Sequence, residues 1–152
     1  MSIGLKGNVD GSGAIQVGGS DAITIDTSLN TTHLGASLSI GATGYATGAG
    51  GTVTQLTSKA TGVTLNKLTG QITLNNAALA AATIVSFTLT NSTIGLGDIL
   101  LFNHVSGGTI GAYTFNAQAA AGSATINVRN ASAGSLSDAI VLSYAVVKGV
   151  TS

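Results

Sequence analysis

Residues 48–75 read GAGGTVTQLTSKATGVTLNKLTGQITLN. A glycine-rich opening leads into three runs in which apolar and polar residues alternate: Thr52-Val53-Thr54-Gln55-Leu56, Val63-Thr64-Leu65 and Gln71-Ile72-Thr73-Leu74. Period-two alternation places successive side chains on opposite faces of a strand, and β-branched residues suit that geometry. Glycine, lysine and asparagine punctuate the runs as turns. The stretch predicts the start of an all-β domain.

The pattern continues downstream. Residues 75–82, NNAALAAA, allow one or two helical turns, because alanine favours helix, or a loop between strands. In 83–91, Val85, Phe87 and Leu89 alternate with Ser86, Thr88 and Thr90. Ile99-Leu100-Leu101-Phe102 is a continuous apolar run, the pattern of a strand buried on both faces. Tyr113 and Phe115, then Ala124, Ile126 and Val128, then Ile140, Leu142, Tyr144 and Val146 each mark one face of a further strand. The predicted core is Val85, Phe87, Leu89, Leu100, Phe102, Tyr113, Phe115, Ile126, Val128, Leu142, Tyr144 and Val146. About seven or eight short strands at regular spacing, without long helical patterns between them, predict an antiparallel β-sandwich of jelly-roll type over residues 48–152.

Residues 1–47 are rich in glycine, serine and threonine and read as an extended N-terminal arm. Ala14-Ile15-Gln16-Val17 and Ala22-Ile23-Thr24-Ile25 form a short β-hairpin pattern closed by Gly18-Gly19-Ser20-Asp21. Residues 34–40 read as a weak further strand. A lone hairpin is marginal in water. Ile15, Val17, Ile23 and Ile25 are therefore the candidate attachment residues, expected to need a partner surface.

Charge narrows the function classes. Charged residues make up 7% of the 152-residue chain; there is no glutamate, and five basic residues balance five aspartates. A neutral chain has no electrostatic reason to take nucleic acid or an acidic membrane as partner. It also lacks the repulsion that keeps copies apart, so a homo-oligomer, trimer or dimer, is expected. No cysteine is present, which removes disulfides and thiolate metal sites. The start, Met1-Ser2-Ile3-Gly4-Leu5-Lys6, lacks the apolar core of a signal peptide. No apolar run approaches the roughly 18 residues of a membrane helix.

Individual residues give no catalytic constellation. His104 ends an apolar strand and reads as a hydrogen-bonded strand-end or subunit-contact histidine, since catalysis needs a nucleophile and an orienting acid beside it. His33 lies in the polar arm. Asn8, Asp10 and Ser12 echo half a calcium loop, but its twelfth position is Gly19, not glutamate. Asn30-Thr31-Thr32, Asn91-Ser92-Thr93 and Asn130-Ala131-Ser132 match the glycosylation pattern at the frequency a Ser/Thr-rich chain gives by chance. Gly48-Ala49-Gly50-Gly51 lacks the Lys-Ser/Thr of a phosphate loop. Lys59, Lys67 and Arg129 stand apart and form no basic stripe. Asp138 and Lys148 flank the last strand as solvated ends or as an inter-subunit pair. No enzymatic activity, cofactor or metal is expected.

Several phrases resemble a domain common in structural proteins of tailed bacteriophages. They are Gly48-Ala49-Gly50-Gly51-Thr52-Val53-Thr54-Gln55, Lys59-Ala60-Thr61-Gly62-Val63-Thr64-Leu65-Asn66, Gly70-Gln71-Ile72-Thr73, Phe87-Thr88-Leu89-Thr90-Asn91-Ser92, Asn103-His104-Val105-Ser106-Gly107-Gly108-Thr109 and Tyr144-Ala145-Val146-Val147-Lys148-Gly149. The resemblance spans residues 45–150. It implies a non-enzymatic virion component, usually a homo-oligomer, on the particle surface and made in the host bacterial cytoplasm. Two jobs fit. One is a capsid-decorating (cement) protein that stabilises the head by binding between subunits of the major capsid protein. The other is a tail-fibre, spike or head-fibre component involved in host adsorption. The short chain leaves little room for a fibre shaft and favours cement.

Overall fold

The computed structural model describes residues 3–7, 13–17, 20–25, 31–33, 45 and 47–149, with side-chain environments for 45 and 47–149. The described residues form strands and loops without a helix, and none has a helix long and apolar enough to cross a membrane. The chain divides into two compact units, Met1–Thr43 and Gly44–Ser152.

The first unit contains β1 (Ile3–Gly7), β2 (Gly13–Val17), β3 (Ser20–Ile25) and β4 (Thr31–His33), paired antiparallel in chain order. The β2–β3 hairpin sets Ile15 opposite Ile23, Val17 opposite Ser20 and Gly13 opposite Ile25, with a register shift between Ile15 and Gln16. β1 and β4 extend it on either side. The strand expected over 34–40 lies outside the described residues.

The second unit contains β5 (Thr52–Thr54), β6 (Val63–Thr64), β7 (Thr69–Thr73), β8 (Ile84–Thr90), β9 (Ile99–Ser106), β10 (Tyr113–Ala120), β11 (Ser123–Asn130) and β12 (Val141–Val147). They form two open four-stranded sheets, ordered β10-β11-β8-β6 and β5-β7-β12-β9. Phe87, Leu89, Ala124, Ile126 and Val128 of the first sheet and Ile72, Leu142, Tyr144 and Val146 of the second belong to one buried cluster. Leu74, Leu79, Ile94 and Ile140 fill it from the connecting segments. Each large apolar side chain so removed from water contributes about 1.5–3 kcal/mol before entropy is counted.

The sheets are mixed, which corrects the expectation of a purely antiparallel arrangement. β5 pairs parallel with β7, and β6 parallel with β8. From β5 to β9 the chain changes sheet at every connection. Each change reverses its direction, so strands two apart return to one sheet running the same way. The intervening strand in the other sheet serves as the crossover that a parallel pair requires.

The covering of the sheet corrects a second expectation. The sheet of β9 is packed on one face only, so Ile99 and Leu101 point outward while Leu100 and Phe102 face the core. The apolar run is half-buried on one face and exposed on the other. The alanine-rich stretch forms no helix: Leu79 is buried and bridges Leu136 through reciprocal backbone hydrogen bonds of 2.8 and 3.0 Å.

Within β7, Gly70 pairs with Tyr144 of β12. A Cβ there would lie 2.6 Å from Leu65 Cδ2, 2.7 Å from the Gly51 carbonyl and 3.2 Å from the Tyr144 ring. The missing side chain lets the tyrosine ring lie across the strand. Truncating the large core residue Phe87 to alanine is expected to destabilise the second unit by about 3–5 kcal/mol, measurable by denaturant unfolding.

Candidate interaction surface

The two sheets present different outer faces. On the β8–β11–β10 sheet the outward residues are polar apart from Ile84 at the start of β8: Ser86, Thr88 and Thr90, then Thr125, Asn127 and Arg129, then Thr114, Asn116 and Gln118. The Ser86 hydroxyl donates to Asn127 Oδ1 at 2.6 Å, and Asn127 Nδ2 donates to Asn116 Oδ1 at 2.6 Å. This ladder crosses three strands.

The outer face of the other sheet changes character from edge to edge. Thr52, Thr54 and Gln71 lie toward β5. Toward β9, Ile99 is 57% exposed, Leu101 56%, Val147 46% and Val105 45%. Val147 sits directly opposite Ile99, and Ala145 opposite Leu101. Val105 is an extra residue in β9, because Leu142 pairs with His104 while Val141 pairs with Ser106. Such a bulge bends the strand locally. β9 carries no charged side chain and no proline.

The buried polar groups are occupied in holding loops. Asn91 and Asn130 end β8 and β11 in matching turns. Asn91 Oδ1 accepts from the Thr93 N–H at 3.0 Å and its hydroxyl at 2.7 Å; Asn130 Oδ1 accepts from the Ser132 N–H at 2.9 Å and its hydroxyl at 2.7 Å. Asn91 Nδ2 donates to the Lys67 carbonyl at 2.7 Å; Asn130 Nδ2 donates to the carbonyls of Leu79 at 2.9 Å and Gly134 at 2.8 Å. The Asn-x-Ser/Thr pattern at these positions is an Asx turn, in which the third residue's hydroxyl binds the same oxygen.

Lys59 is buried, with its ammonium on the backbone carbonyls of Asn75 and Asp138. Burial pulls its pKa down, and the Asp138 charge partly counters this. Asp138 Oδ2 accepts from the Tyr113 hydroxyl at 2.9 Å. Burial, with this bond second, pushes the Tyr113 pKa up to about 12. Gln55 completes the corner, donating to the carbonyls of Lys59 at 3.0 Å and Thr61 at 2.7 Å. Sequence reading set Lys59 aside as an isolated charge; nothing local to it foretells burial, since its acceptors lie 16 and 79 residues away.

Asp98 and Lys148 form a salt bridge that ties the segment before β9 to the end of β12. Asp98 also accepts from the backbone N–H groups of Gly95 at 2.8 Å and Gly149 at 3.0 Å. The Gly95 bond first, then Lys148, hold its pKa down at about 2. Lys148, its side chain 58% exposed, is a solvated strand end that also pairs within the chain, and its partner is Asp98.

His104 Nε2 lies 3.1 Å from the Ser106 carbonyl and 2.6 Å from that of Gly107, so it carries the proton. Nδ1 is buried without a hydrogen-bond partner. The ring meets Tyr113 and Phe115 edge-on, both at 6.3 Å between centroids, and joins β9 to β10. Among the described residues no three His, Cys, Asp or Glu side chains gather into a metal-binding group. Ile15, Val17, Ile23 and Ile25 are placed by backbone register alone, and their side chains lie outside the described set. No family model, no curated protein and no solved structure matches the chain.

Two outcomes test these contacts. The depressed Asp98 pKa means that its contribution to stability is complete above the ordinary value of 3.8 and is lost as pH falls through about 2. Asp98→Asn should therefore flatten the acid limb of a thermal-stability profile across that window. Asn130→Ala removes a donor from buried carbonyls and is expected to destabilise by about 1–3 kcal/mol in urea unfolding.

Proposed function

We propose that the chain is a non-enzymatic structural protein of a tailed-phage virion, and within that class a capsid-decorating protein that stabilises the head by binding between coat subunits. The resemblance over residues 45–150 supplies the class. The observation that carries the reading is the division of labour among polar groups. Lys59, Asn91, Asp98 and Asn130 are taken up in holding loops, and the outer faces of the strands offer hydroxyls, amides and an apolar edge. That surface suits broad contact with neighbouring proteins.

In this reading the two sheets are the halves of a β-sandwich with the eight strands of a jelly roll, the two parallel pairs being its departure from that pattern. Residues 1–47 are an attachment arm that pairs with coat-protein edges through the strands bearing Ile15, Val17, Ile23 and Ile25. The partners are other copies of the chain, as trimer or dimer, and the major capsid protein; nucleic acid and membrane are not among them. The site of action is the particle surface, after synthesis in the bacterial cytoplasm.

Particles assembled without the protein should lose their contents at a lower temperature, and adding the purified chain should restore the wild-type value. A chain beginning near Gly48 should fold but restore it poorly. Equal heat stability with and without the protein would refute the cement role, and full rescue by the shortened chain would refute the arm's part in it.

A further inference from the structure

We infer that β9 is a self-association edge, at which the β9 strands of two copies pair antiparallel about a two-fold axis at Leu101. The inference rests on reading the chain as a self-associating structural protein, and it names the surface, the partner and the symmetry.

Four strands end the two sheets. β5 and β6 are three and two residues long, and an edge that short offers little to pair with. β9 and β10 are eight residues each and lie on the same side. β10 turns Thr114, Asn116 and Gln118 outward, polar side chains that Asn127 and solvent can satisfy. β9 turns Ile99, Leu101 and Val105 outward with Asn103 among them, and water satisfies the amide but not the three apolar side chains. Within the second unit β9 hydrogen-bonds to β12 alone; β10 of the other sheet approaches it where the His104 ring meets Tyr113 and Phe115, and over residues 99–103 no described strand pairs with the backbone groups of its second edge. Edge strands are ordinarily blunted with lysine, proline, an inward charge or a bulge; β9 has only the last, at Val105, which leaves residues 99–103 regular.

A second copy meets both needs at once. The strand supplies hydrogen-bonding groups for its twin, and an apolar stripe with no charge along it needs a partner stripe equally free of charge. Register follows from parity. Opposed residues must share a face, so the axis passes through a residue and not between two. An axis at Phe102 would draw the bulged Val105 into the ladder opposite Ile99. An axis at Leu100 would pair three residues. The axis at Leu101 pairs residues 99–103 in full before the bulge: Leu101 faces its own copy, Ile99 faces Asn103, and Leu100 faces Phe102. The outward stripes of the two copies then merge across an eight-stranded sheet.

The full chain has no cysteine, so a single introduced thiol reports the contact. Directly opposed Cβ atoms in an antiparallel pair lie roughly 4.5–5.5 Å apart, close to disulfide reach. Under oxidised glutathione, Leu101→Cys should convert most chains to a covalent dimer reversible by reductant, while Gln118→Cys on β10 remains uncrosslinked. In sedimentation, Leu101→Lys should weaken dimerisation about tenfold or more through like charges at the axis, while Leu56→Lys, on an exposed loop, leaves it unchanged. A wild-type monomer at micromolar concentration overturns the inference. So does an oligomer indifferent to Leu101→Lys and uncrosslinked by Leu101→Cys, or a Leu101→Cys thiol shielded from maleimide in a monomer, which would mean that the chain covers its own edge. Each of these results leaves the virion reading to stand or fall on the particle experiment.

Discussion

The contact between Tyr144 and Asn91 is where the two sheets of the second unit are held in register. Tyr144 sits on β12, between Gly70 of β7 and Phe102 of β9. Its ring is buried, and burial pushes the pKa of its hydroxyl up to about 12, so the group remains a neutral donor. The hydroxyl lies 3.0 Å from the Lys67 carbonyl and accepts from Asn91 Nδ2 at 3.3 Å. Asn91 ends β8 in the opposite sheet. One side chain thus spans the middle of one sheet, the loop entering β7 and the end of a strand across the core. Gly70 is required beneath the ring, and the turn begun by Asn91 directs the chain toward β9.

Legibility in the sequence followed the range of the physics. Alternation is a local consequence of burying one face, so Phe87 and Leu89, Ile126 and Val128, and Leu142, Tyr144 and Val146 were readable as inward residues, and all are buried. The two-sheet, helix-free character came with them. A strand's neighbours are not local. Nothing in Ile99-Leu100-Leu101-Phe102 states that its sheet is packed on one face only, and so half of an apolar run proved to be exposed. The parallel pairs depend on how often the chain changes sheet, which periodicity does not encode.

Polar residues divided in the same way. Asn91 and Asn130 each carry a hydroxyl residue two places on, a local signal for the turn they make, although that spacing first suggests glycosylation. Lys59 is held by carbonyls from two distant segments, and Asp98 by Lys148 fifty residues later. In a chain with ten charged residues, taking Lys59, Asp98, Asp138 and Lys148 into internal contacts leaves few charges to keep other surfaces away. The same scarcity that demands careful pairing inside makes the outside suited to assembly.

Assembly into a particle is therefore the central claim, and the position of the chain on that particle tests it most directly. Cryo-electron microscopy of intact virions, compared with particles lacking the protein, should show difference density repeated over the head lattice and fitted by the two four-stranded sheets of the second unit. Density confined to the tail would contradict the capsid-decorating role, and no difference anywhere on the particle would contradict the structural role altogether.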